Sequence, residues 1–116
     1  MKYKRIRPTE FTFMGRTYKV TFPDKVESDD DDYGSTCHNN FIIQVKGNQI
    51  PLEEADTFLH EIMHVLWYHM GLCADNSDDV EERMVRTLST ALIYALRNNP
   101  NLLNYFKEIL YADRPN

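Results

Sequence analysis

The spacing of apolar residues changes once along the chain, near residue 50, and that change limits the folds open to it. Before it, "FTFMGRTYKVTF" (11–22) alternates in two runs broken at Met14-Gly15, the pattern of a hairpin with a Gly-containing turn. Phe11 and Phe13 are expected on one face, then Tyr18, Val20 and Phe22 on another. An acidic loop follows at 24–35, and "NNFIIQV" (39–45) reads as a third strand ended by the turn "KGNQ" (46–49). After it, Ala55, Phe58, Leu59, Ile62, Met63 and Leu66 recur at helical spacing, with Pro51 at the start and Gly71 as the stop. A second helix is predicted within 76–100, starting with helix-capping types, carrying Val85, Leu88, Leu92 and Ala95 on one stripe and stopping before Pro100. Leu102, Leu103, Phe106, Ile109 and Leu110 outline a third. The expectation is one α+β domain over 1–116: a small antiparallel sheet of about three strands in 1–50, then three helices in 51–116.

Length and charge narrow the function. A chain of 116 residues with 42% hydrophobic and 27% charged residues suits one globular domain. A net charge of −5 argues against nucleic-acid binding, which needs a basic footprint. The basic "MKYKRIR" start has no apolar run behind it, so neither a signal peptide nor a membrane span is expected, and a cytoplasmic setting is. Cys37 and Cys73 are expected as free, partly buried thiols. Asp29 to Asp32 lack the periodicity of a calcium loop and read as a solvated surface stretch.

The chemistry concentrates in the first helix. His60-Glu61-Ile62-Met63-His64 is an HExxH sequence, and residues four apart on a helix point the same way, so both imidazoles can grip one ion. Zinc takes neutral imidazole nitrogen readily and, in catalytic sites, uses three protein ligands with water in the fourth place. Glu61, rotated about 100° from His60, stands beside such an ion as a base for its water. A lone helical histidine is usually an ordinary polar residue. Two at this spacing on a partly buried helix are costly to desolvate without a shared partner.

His69 does not complete the set. It lies about 140° from His64 around the helix, and Trp67 and Met70 replace the glycine and histidine of the longer HExxHxxGxxH motif. Its expected role is a polar residue at a helix end, where a cation is favoured. The third ligand must come from the next helix, where "VEERM" (80–84) offers Glu81 and Glu82, and periodicity permits either.

From His60 to about Pro100 the chain resembles the zincin metallopeptidases whose third ligand is a glutamate. It is most similar to compact ImmA/IrrE-like proteins and the small metallopeptidase-like proteins common in phages. Their second helix carries an E-x-x-A-N-x-L pattern whose first Glu ligates zinc. The matching positions here are Glu82, Val85, Arg86 and Leu88, so the resemblance implies Glu82 rather than Glu81. Val85 and Arg86 depart from the pattern, Arg86 standing where relatives place a polar residue that supports a ligand histidine.

Together these readings lead to an expected zinc metallopeptidase. His60, His64 and Glu82 hold one Zn²⁺ per chain between the first two helices, and Glu61 activates a metal-bound water against a peptide bond. The resemblance adds a bacterial host and a peptide or protein substrate bound along a sheet edge, for which 35–45 is the candidate. Tyr33 and His38 are the nearest candidates for stabilising the oxyanion. The competing expectation is a metal-stabilised interaction module of phage or mobile-element type without turnover.

Overall fold

The computed structural model describes residues 6–27 and 32–112. Its elements run β1 (Glu10–Phe13), β2 (Arg16–Thr21), β3 (Gly34–Cys37), β4 (Ile42–Val45), α1 (Pro51–His69), a 3-10 turn (Leu72–Ala74), α2 (Asp78–Asn98) and α3 (Pro100–Tyr111). The architecture is α+β, with a four-stranded mixed sheet followed by three helices.

β1 and β2 pair antiparallel through a two-residue turn in which Met14 and Gly15 both have positive φ, 50° and 81°. That backbone matches the twist of the flanking strands, and glycine adopts it without strain. The turn places Phe11 opposite Tyr18, so the two apolar runs share one face rather than occupying separate ones. Phe11, Phe13 and Phe22 all pack against the same core of Tyr18, Val20, Ile43, Val45 and Val65.

The sheet order is β1-β2-β4-β3, with β4 parallel to β2 and antiparallel to β3. The predicted third strand therefore begins only at Ile42 and runs inside the sheet, because residues 38–41 turn and Phe41 takes φ 56°. β3, "GSTC", is the strand that apolar spacing could not predict. Having β4 as its sheet neighbour on one side only, it forms an edge of the sheet. The candidate edge 35–45 is in fact a hairpin, of which the edge is the β3 arm alone.

α1 begins with Pro51 in the first turn and is followed by Gly71 in the left-handed region, as the sequence predicts. Arg7 anchors its N-terminal turn, with Nη2 donating to Glu54 Oε1 at 2.6 Å and to the Gly47 carbonyl at 2.8 Å. α2 starts at Ser77, whose hydroxyl accepts from the Val80 N–H, and Asp78, Asp79 and Glu81 complement the dipole there. Glu82 lies beside His60 and His64, and Thr90 beside Asp56, so α2 runs back antiparallel along α1. Its buried residues are Val85 and Ser89, whereas Leu88 and Leu92 of the predicted stripe are 48% and 39% exposed. Cys37 and Cys73 are free and exposed, not partly buried. No described helix is long and apolar enough to cross a membrane.

Candidate metal centre

His60 and His64 leave α1 one turn apart, and their Nε2 atoms approach to 3.1 Å. Glu82 reaches across from α2, with Oε1 3.1 Å from His60 Nε2 and Oε2 3.2 Å from His64 Nε2. Glu82 meets the two rings with different oxygens, and one ligand atom from each of the three residues lies within 4.8 Å of the others, close enough for all three to reach one ion. His60, His64 and Glu82 are the group of metal-ligating side chains that converges among the described residues.

The surrounding electrostatics fit a cation as well. An open cleft of about 500 Å³ is lined by these residues together with Glu61, Asp32, Asp56 and Arg86. Four carboxylates therefore face it against one guanidinium, an arrangement that a divalent ion relieves. Burial pushes His60 below its ordinary pKa, against the opposing pull of Glu82, and so favours the neutral imidazole that a metal requires.

Glu81 does not join the cluster. Its Oε2 lies 2.6 Å from His64 Nδ1, on the far side of the ring from Glu82. A carboxylate accepting the Nδ1–H fixes the tautomer that leaves the Nε2 lone pair free and raises its basicity. Of the two adjacent glutamates, Glu82 is the one that approaches the Nε2 atoms of both histidines, while Glu81 lies behind one ring. Cys73 Sγ donates to the other oxygen of Glu81 at 3.6 Å.

Glu61 is 6% exposed, lines the same cleft and is hydrogen-bonded toward β3, outside the convergent group of three. Thr36 of β3 donates to its Oε1 at 2.7 Å. Burial raises the Glu61 pKa, partly offset by the Thr36 bond and by His64. A carboxylate in that state accepts a proton more readily than an exposed one. Gly34 allows β3 this close, because a Cβ there would stand 2.9 Å from Thr57 Cγ2 and 3.0 Å from Glu61 Oε2. Neither Thr36 nor Gly34 carried a signal in the sequence, since both belong to the polar strand that spacing missed.

The remaining candidates are distributed elsewhere. Tyr33 lines the cleft at the start of β3. His38 instead takes part in an array with His69, which hangs on the fully buried Tyr18. The Tyr18 hydroxyl is 2.8 Å from His38 Nδ1 and 2.8 Å from His69 Nε2, and His38 stacks on Tyr68 at 4.1 Å. Arg16 Nη1, always a donor, faces His69 Nδ1 at 3.5 Å. His69 Nε2–H therefore donates to Tyr18, whose O–H donates to His38. His69 is thus the polar residue of the last helical turn that was expected, outside the metal-ligating group and tied to Tyr18, and burial and Arg16 lower its pKa. Of the acidic run, only Asp32 is among the described residues.

No family model, curated protein or solved structure matches the chain.

Proposed function

We propose that the protein is a zinc-dependent metallopeptidase of zincin type, with His60, His64 and Glu82 holding one zinc and Glu61 serving as the base. The observation that carries this reading is the convergence of three side chains, two imidazole nitrogens 3.1 Å apart that each lie 3.1–3.2 Å from an oxygen of Glu82, beside a buried carboxylate that is not one of them. Zinc held there would supply Lewis acidity, which brings the pKa of water to about 7.

The chain's own residues account for the rest. Glu61, oriented by Thr36, takes the proton from the attacking water, and its raised pKa suits it to pass that proton to the leaving amine. Glu81 holds His64 in the ligating tautomer. Tyr33 and Arg86 line the cleft and are our candidate donors for a developing oxyanion, and the edge strand β3 borders the cleft through Gly34. The experiment is Glu61→Gln assayed against a peptide library. Zinc content should be unchanged and cleavage lost, since a general base contributes about 10²–10⁴-fold. Loss of zinc in that variant would make Glu61 a ligand and overturn the mechanism.

One observation favours a second reading, a metal-stabilised module that binds a protein partner without turnover. α2 buries only Val85 and Ser89, so a metal joining Glu82 to α1 would contribute much of its attachment. That reading predicts that His60→Ala unfolds α2 while Glu61→Gln leaves the biological phenotype intact.

A further inference from the structure

The apolar surface of the helical half is far from covered. α3 is strongly one-sided: Leu103, Tyr105, Phe106, Ile109 and Leu110 lie within one face, and they are 59%, 59%, 46%, 60% and 68% exposed. A helix of 12 residues is marginal in water unless its apolar face is packed. A second uncovered feature lies between α1 and α2, a groove lined by Met63, Leu88, Ala91, Leu92 and Ala95. Its small alanines flanked by larger side chains are suited to receive the ridge of a helix.

The helix cannot fill the groove of its own chain. α2 ends at Asn98 and α3 begins at Pro100, leaving Asn99 alone between them. Reversing one helix onto another takes a loop of about two to five residues. We propose that two copies pair reciprocally, α3 of each lying in the α1–α2 groove of the other.

Area and charge both support a second copy as the occupant. At roughly 150–200 Å² for a large apolar side chain, the exposed fractions on α3, with Leu88 and Leu92 of the groove, come to about 700 Å² per copy. Specific interfaces bury about 600–1,000 Å² per partner, and this area falls within that range. α3 carries one Lys and one Glu, Lys107 and Glu108, so it brings no net charge to the contact although the chain is at −5. The reciprocal arrangement is a closed two-fold dimer, the commonest oligomer. Glu82, Arg86 and Thr90 lie on the opposite flank of α2 from the groove residues by helical spacing, so pairing leaves the cleft open. The pairing does not depend on the metal or on catalysis.

The test is sedimentation equilibrium of the full chain from about 1 to about 100 μM, the range of modest affinities. The wild type should sediment at about 27 kDa, twice the 13.7 kDa chain. Leu110→Glu (helix) and Ala91→Glu (groove) should each shift it to the monomer mass with an unchanged circular dichroism spectrum. Leu103→Glu is a second helix variant if either misfolds. Mixing the helix and groove variants should restore a dimer, because one intact helix then meets one intact groove. A wild type that stays monomeric throughout, including one that associates only with a different protein, overturns the proposal. So does a dimer that survives either substitution, or a mixture that stays monomeric.

Discussion

Two neighbouring glutamates on one helical turn, Glu81 and Glu82, contact opposite sides of the same imidazole. Which of them faces the histidine pair depends on how α2 is rotated against α1, and apolar spacing leaves that rotation uncertain by about one residue. The stripe expected from Val85, Leu88 and Leu92 was rotated from the real one, which runs through Val85 and Ser89. A serine at the centre of a helix interface has no apolar signature, which is why the sequence misleads there. The division of labour has a measurable consequence. Glu81→Gln should leave one zinc per chain at saturation but weaken its affinity about 10–100-fold, the usual cost of losing a carboxylate behind a ligand histidine. Competition against a zinc-responsive dye measures this. An affinity unchanged by the substitution would mean that the 2.6 Å contact does not tune the ligand.

Among the elements, the helices were largely legible and the sheet only partly. Pro51, Gly71, Ser77 and Pro100 are strong local punctuation, and the observed helix ends follow them closely. β3 was not legible, because "GSTC" contains no apolar alternation and owes its strand conformation to pairing with β4. The junction between β2, the 38–41 turn and the end of α1 was also invisible. There Tyr18, His38 and His69 form one hydrogen-bonded array from three distant segments.

That array ties stability to pH. Burial lowers the pKa of both His38 and His69 below 6.5, and protonation is opposed further by the neighbouring imidazole of His69 for His38 and by Arg16 for His69. The unfolded chain therefore takes up protons at a higher pH than the folded one does. The contribution is present in full above about pH 6.5 and is lost as pH falls below it. Between pH 7.5 and pH 5, the wild type should lose more melting temperature than a His38→Gln, His69→Gln double variant. Parallel profiles would show that the array does not carry the effect. Because Tyr18 is fully buried, Tyr18→Phe should cost about 1–3 kcal/mol at pH 7.5, measured by urea unfolding, by leaving the imidazoles short of a partner.

At the scale of the whole molecule, a small sheet and a helical hairpin come together around the cleft that holds His60, His64 and Glu82. The sheet contributes orientation, through Gly34 and Thr36, and the helices contribute the donors. The two histidines with Glu61 were legible from spacing alone, because a helix converts four residues of separation into one turn. The partners that hold them lie 17 to 25 residues away along the chain, and only the fold brings them close. The core of Tyr18, Val20, Ile43, Val45 and Val65 includes a residue of α1, so the helix that carries His60 and His64 is anchored in it.

The central claim is that His60, His64 and Glu82 form a zinc site that does not include Glu61. Metal analysis by mass spectrometry of protein purified from zinc-replete medium tests it most directly, comparing the wild type with Glu82→Ala and Glu61→Gln. About one zinc per chain is expected in the wild type and in Glu61→Gln, and little in Glu82→Ala, as a three-ligand site requires. Wild-type protein without stoichiometric zinc, or full zinc in Glu82→Ala, would contradict it.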